Sequence, residues 1–255
     1  MNRTSMSLCT VVLSAGFSAL AEAQVPATAA ALPAGSALVA RYASAIGAPA
    51  LLKSQAITTR GSLVMSGMTA SFEMLQLAPN RMRLVTTLPG VGVIQVGFDG
   101  ATAWSVDPMQ GPRLLAGKEL VEIQEQGDPR SSVRSSELVA TVQTVADTTM
   151  GGERCYLVKL NWKSGRETFD CFSAVSGLIV GSRAVQQTSM GAVSVVTLLS
   201  DYKKFGDVMV PTKSVQQLMG QEQVMSITAV EFKSAAGVTI APPPEVQALK
   251  KPSGT

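Results

Sequence analysis

Between Pro79 and Pro108 the chain reads PNRMRLVTTLPGVGVIQVGFDGATAWSVDP, three runs of alternating apolar and polar residues separated by a Pro-Gly turn and an Asp-Gly turn. A period of two sends successive side chains to opposite faces, and such short turns join only antiparallel neighbours. The segment therefore folds as a meander. The same period gives candidate strands at 55–66, 70–78, 81–88, 91–98 and 101–106. It returns at 141–149, 154–162, 166–173, 178–188, 192–205, 208–219 and 222–233, punctuated by Asp, Gly and Pro. So many consecutive strands with short connections predict a mainly-β protein built on one large, curved antiparallel sheet.

Two segments break the period. Residues 36–47 carry apolar groups at helical spacing, with Leu38, Tyr42, Ala45 and Ile46 on one face and Gly47 as the stop. Residues 114–126 place Leu115, Leu120 and Ile123 on one side, leaving Lys118, Glu119, Glu122 and Glu125 for solvent. The stretch 127–136 reads as a surface loop, and the Pro-rich tail 242–255 as extended and partly disordered.

Residues 1–23 have Arg3 ahead of an apolar run from Leu8 to Leu20 and then Ala21-Glu22-Ala23, the pattern of a secretory signal cleaved after Ala23. The apolar run falls short of the roughly 18 residues a membrane span needs. The expectation is a periplasmic chain with a flexible segment at 24–34, one domain at 35–241 and the tail, acting as a monomer. Net charge is +3 with no clustered basic face, which argues against nucleic acid as a partner.

Export leaves Cys155 and Cys171 as a pair in an oxidising compartment. The sequence between them forms two strand-like runs around a turn. If the strands pair about Lys163, the two cysteines face each other and form a cross-strand disulfide. Its closed loop of about 15 residues contributes roughly 3 kcal/mol through loop-closure entropy. A metal site is the alternative, but two cysteines without a histidine hold a metal poorly.

The chain contains no histidine, which removes Ser-His-Asp and Cys-His constellations and the usual general base. Near-miss motifs fail on spacing. Gly90-Val91-Gly92 has Gln95 where a dinucleotide fingerprint needs its third glycine, and GPRLLAGKE at 111–119 is one residue too long for a phosphate loop. Ser200 and Lys203 lie on a strand, where i and i+3 point apart. Asp147-Thr148-Thr149 lacks the glycine of an aspartic-protease loop. No catalytic residue, cofactor or metal is expected.

What remains is apolar surface. Alternating positions offer Ile57, Leu63, Met65, Phe72, Met74, Met82, Leu84, Ile94, Val96, Phe98 and Trp104, with Val106 beyond it. Ten of the twelve methionines lie past residue 23, and methionine suits surfaces that accept varied apolar partners. These side chains either fill a core or line a cavity for acyl chains. Arg81 and Arg83 share the opposite face of their strand.

Pro79-Asn80 followed by Arg83, then Gly97-Phe98-Asp99-Gly100, Trp104 and Asp107-Pro108, resemble a segment of the periplasmic lipoprotein carriers of the LolA/LolB type and of bacterial outer-membrane lipoprotein-sorting proteins. Phe169-Asp170, Ser176-Gly177-Leu178-Ile179-Val180 and the run Ser200–Pro211 extend the resemblance over nearly the whole chain past the signal. It implies an unclosed half-barrel whose concave face is covered by two lid helices, with Leu38, Tyr42, Ile46, Leu120 and Ile123 as lid contacts. It also implies non-catalytic binding and transport of acylated lipoprotein or other lipid, with a membrane-bound docking protein as partner. A lipid-responsive sensor or scaffold of the same fold, and a structural protein with a filled core, are the alternatives. Carriers of this type use an arginine in the cavity, a role that strand parity does not give to Arg81 or Arg83.

Overall fold

The computed structural model describes residues 31–250 apart from 134, 189–190 and 219. The signal-peptide reading and the last five residues of the tail lie outside the described residues.

Two short helices, α1 (Gly35–Ala45) and α2 (Ala48–Lys53), precede six strands: β1 (Ala56–Met65), β2 (Met68–Leu77), β3 (Arg81–Leu88), β4 (Gly92–Phe98), β5 (Ala103–Asp107) and β6 (Gly111–Leu114). Then come α3 (Gly117–Gly127), a single 3-10 turn at Ser131–Val133 and a one-turn α4 (Ser135–Leu138). Seven further strands follow: β7 (Val139–Met150), β8 (Glu153–Trp162), β9 (Glu167–Ser173), β10 (Ile179–Thr188), β11 (Gly191–Phe205), β12 (Val208–Leu218) and β13 (Gln221–Lys233). A last turn of helix, α5, spans Pro244–Gln247.

All thirteen strands join one antiparallel sheet in the order β6-β5-β4-β3-β2-β1-β13-β12-β11-β10-β9-β8-β7. Each meander is local, a chain of hairpins. The pairing of β1 with β13, from Ala56↔Lys233 to Met65↔Gln223, fuses the two meanders across the length of the fold. β6 and β7 remain unpaired edges, so the sheet does not close into a barrel. β6, with four residues and a proline, lacks a readable alternation and is absent from the sequence expectation.

Strand parity divides the sheet into two faces. On the inner face α1 and α2 bring Leu38, Tyr42, Ile46 and Leu51 onto Ile57, Val139, Val158, Leu160, Phe172 and Val208, the main core. Arg41 ties α1 down, donating to the carbonyls of Ala174 and Val175 in the β9–β10 turn.

The outer face carries two smaller clusters. One surrounds the disulfide, with Met150, Cys155, Cys171 and Val180. Cys155 pairs across the ladder with Ser173, and Cys171 with Leu157. The hairpin therefore turns about Ser164 rather than Lys163. The cysteines meet diagonally, with their Cα atoms 5.5 Å apart. A diagonal pair on one face still lies within disulfide reach.

The other outer cluster holds Ala56, Leu77, Trp104, Ile240 and Val246. Here the structure corrects the start of the tail: Val246 is buried beside Ile240 and α5 forms, because an apolar patch on β1, β2 and β5 needs covering.

Candidate functional site

Ten of the eleven apolar residues singled out from the sequence share the inner face. The ladder sets them in rows: Ile57 beside Gln76, Met82 and Phe98; Thr59 beside Met74, Leu84 and Val96; Gly61 beside Phe72, Thr86 and Ile94; Leu63 beside Ala70; Met65 beside Met68. Leu120 and Ile123 of α3, with Leu115, cover Met74, Met82, Leu84, Val96 and Phe98. Ile57 lies under α1 and α2 together with Leu38, Tyr42 and Ile46. Beyond the helices the inner face continues with Leu63, Met65 and Ile94, joined by Met225 opposite Leu63 and Ile227 opposite Gly61. These five are only half-buried and belong to none of the packed clusters.

Trp104 is the exception. Ala103 pairs with Phe98, so the next residue must point the other way, and Trp104 pairs with Gly97 and Leu114 on the outer face. It is fully buried beneath the tail and donates its indole N–H to Gln95 Oε1 at 3.3 Å. A Cβ at position 97 would collide with the indole ring, so glycine is needed there for the ring to lie against the strand. Val106 accompanies it.

Arg83 also faces outward. It stands in a ladder of ion pairs in which Glu73 meets both Arg83 (3.9 Å) and Arg60 (2.7 Å), and Arg60 meets Glu231 (2.6 Å). Neither Arg81, whose ladder partner is the outer-facing Leu77, nor Arg83 enters the apolar face.

The sequence expectation left the charged side of α3 in solvent; the structure keeps Lys118 exposed and corrects this for Glu119, Glu122 and Glu125. Lys118, Val121, Glu122 and Glu125 form a second stripe at helical spacing, opposite Leu120 and Ile123. Glu125 pairs with Arg166 at 2.7 Å, and Arg166 stacks on Trp162 at 4.5 Å. Glu122 is 8% exposed and accepts the backbone N–H of Gln187 at 3.1 Å. Burial holds its carboxyl above the usual range, against the pull of that hydrogen bond. Glu119 pairs with Arg113 at 2.8 Å. These partners lie in the β5–β6 and β8–β9 hairpins and in β10. No helical period can announce them.

This stripe borders a cavity of about 600 Å³. The turn at Ser164–Glu167 forms one flank, and Leu157, Phe169, Arg183, Val185 and Val196 form much of the rest. Along their strands these five alternate with Val158, Asp170, Ala184 and Val195. Val158 packs in the core beneath α1, so the five belong to the outer face of β8–β11, while Ala184 and Val195, of the opposite parity, also reach the cavity wall. None of the eleven residues proposed from sequence lines this cavity.

A second space, about 110 Å³, lies beneath α1 among Val39, Tyr42, Val139, Leu160, Trp162, Phe172 and Ile179, with Ser131 and Ser132 at its side. Asp170 points into it. Burial pushes its carboxyl up to about 7, and Arg166 offsets part of that rise. Burial also raises the Tyr42 and Tyr202 phenols above their ordinary value. Tyr202 donates to the Ile179 carbonyl at 2.7 Å. Among the described residues there is no group of three His, Cys, Asp or Glu side chains able to hold a metal ion, and no helix is long and apolar enough to cross a membrane.

One unclosed antiparallel sheet with helices packed on its inner face is the LolA-like fold. A DUF1329 family protein from Desulfovibrio piger superposes with a TM-score of 0.53 at 13% identity, over 82% of this chain and 96% of its own. A LolA superfamily protein from Nitrosomonas europaea does so with a TM-score of 0.52 at 10% identity, over 80% and 95%. An outer membrane lipoprotein-sorting protein domain from Vibrio parahaemolyticus aligns over 78% and 92% at 8% identity, with a TM-score of 0.49. No protein-family model and no curated protein matches the sequence.

Proposed function

We propose that this chain is a periplasmic carrier that takes up acyl chains, of lipoproteins or of other lipids, on the inner face of its half-barrel, without catalysing a reaction. The observation that supports this reading is the row of half-buried apolar side chains beyond the helices, Leu63, Met65, Ile94, Met225 and Ile227. It continues directly from the residues that Leu120 and Ile123 cover. An acyl chain needs apolar lining and little polar contact.

Loading would lift α3. Its apolar contacts with the inner face are those of Leu120 and Ile123, beside Leu115 just before the helix, and polar links from Gln76, Arg113, Arg166 and Gln187 supply the rest of its attachment. Polar links at a surface exchange readily for water, whereas each buried methylene of an incoming chain contributes about 0.8 kcal/mol. A few methylenes suffice to shift the balance, and a membrane-bound docking protein would reverse it at delivery.

The test is binding of a fluorescent triacylated peptide to the secreted chain and to its Met65→Glu variant. A carboxylate among those side chains should weaken binding at least tenfold. Equal binding by both would contradict the reading.

A further inference from the structure

The cavity of about 600 Å³ beside α3 draws most of its wall from outer-face residues of β8–β11 and shares α3, through Lys118, Val121 and Glu122, with the surface invoked above, but its chemistry differs. Its floor is apolar, with Leu157, Phe169, Val185 and Val196, while its rim is charged. The charges do not cancel. Arg166 is occupied by Glu125, Glu122 by the Gln187 N–H, and Glu167 by Lys159 at 2.6 Å. Lys118 and Arg183 also line the cavity, and neither has a carboxylate partner among the described residues. Glu122 keeps its carboxylate while accepting an N–H, so Lys118 and Arg183 outnumber it and the rim carries an excess of one positive charge. The volume lies within the roughly 300–1,000 Å³ of small-ligand pockets.

We propose that this cavity is a second ligand site, for a single-chain amphiphile with an anionic head, which Lys118 and Arg183 meet while the chain lies on Leu157, Phe169, Val185 and Val196. A guanidinium and an ammonium suit a carboxylate or a phosphate equally as a class, the Arg183 fork adding direction and Lys118 adding charge. An acyl tail completes what the floor requires. A neutral apolar molecule would leave both cations without a counter-ion, and a cationic one would be repelled.

Isothermal titration of the secreted chain with palmitate, lysophosphatidylglycerol and hexadecanol tests this, alongside the double variant Lys118→Glu with Arg183→Glu. Both residues are exposed, so the variant should keep the wild-type circular dichroism spectrum. The expected result is one equivalent of an anionic amphiphile bound, at least tenfold weaker binding of hexadecanol, and at least a tenfold loss in the double variant. A preference for palmitate assigns a carboxylate head and a preference for lysophosphatidylglycerol a phosphate, and either supports the site. The proposal is overturned if neither anionic amphiphile binds or if the double variant binds as well as wild type. Failure of the triacylated peptide itself to bind would count against the inner-face carrier reading alone.

Discussion

The helices that precede β1 and β7 meet the sheet in two places, and the two differ. Under α1 and α2 the space is packed by Leu38, Tyr42, Ile46, Val158 and Phe172, and only about 110 Å³ remains. Beside α3 about 600 Å³ remains. The difference follows from the helix stripes. α1 presents branched and aromatic side chains that interdigitate with the strands, whereas α3 turns Lys118, Val121, Glu122 and Glu125 toward the β8–β10 side. Long polar side chains hold a helix by its partners at a distance; apolar ones draw it into contact. Capacity for a ligand is therefore found where the helix is anchored by charge.

The sharpest way to break this contrast is a pair of phenylalanines. Phe172→Ala, in the packed region where the ring sits edge-on to Tyr42 at 5.8 Å, should cost about 3–5 kcal/mol. Phe169→Ala, three residues earlier but facing the cavity with Lys159 5.8 Å from its ring, should cost about 1 kcal/mol. Urea unfolding measures both. Equal costs would mean that the cavity side is as tightly packed as the core.

Asp170 sharpens the packed side. Its carboxyl goes from an ordinary value of 3.8 in the unfolded chain to about 7 when folded. Between those values the unfolded chain has released its proton and the folded one has not, so Asp170 makes stability fall as pH rises from about 4 to about 7, with no further loss above. Asp170→Asn should remove that slope. It should leave stability unchanged near pH 4 and raise it at pH 8 by on the order of 2 kcal/mol, less than for a fully dry carboxyl because the small cavity leaves part of the group accessible. A variant with the wild-type pH profile would show that the carboxyl is not held in its neutral form.

On the α3 side the expected effect is local and smaller. Arg166→Ala removes the 2.7 Å pair with Glu125 and the stacking on Trp162, worth about 1–2 kcal/mol. Hydrogen exchange should speed up about tenfold in the α3 amides and stay unchanged in α1. Acceleration in both helices would mean that the two regions open as one unit.

The inner face was legible in the sequence because strand parity is a local property: Phe72, Met74, Met82, Leu84, Ile94, Val96 and Phe98 fall on one side from the alternation alone. The same rule fails at Trp104. A turn intervenes between Phe98 and Ala103, and only the pairing register across it reveals which way the ring points. The disulfide partners were readable from composition and compartment, but their diagonal placement depended on a turn centre one residue from that expected. The cavity beside α3 was not legible at all. Its walls come from residues as far apart as Lys118 and Val196, and its charge balance from pairs such as Glu125 with Arg166 and Glu122 with Gln187, separated by 41 and 65 residues. The helical stripe Lys118, Val121, Glu122, Glu125 was visible, yet a charged stripe ordinarily means solvent.

The most direct test of the account is native mass spectrometry, with lipid extraction, on the chain expressed with residues 1–23 and recovered from a periplasm without denaturation. The account predicts bound acyl-chain ligand in stoichiometric amount, released on extraction. An empty protein that also ignores added phospholipid and acylated peptide would contradict it, and would leave a sheet whose apolar face serves only its own packing.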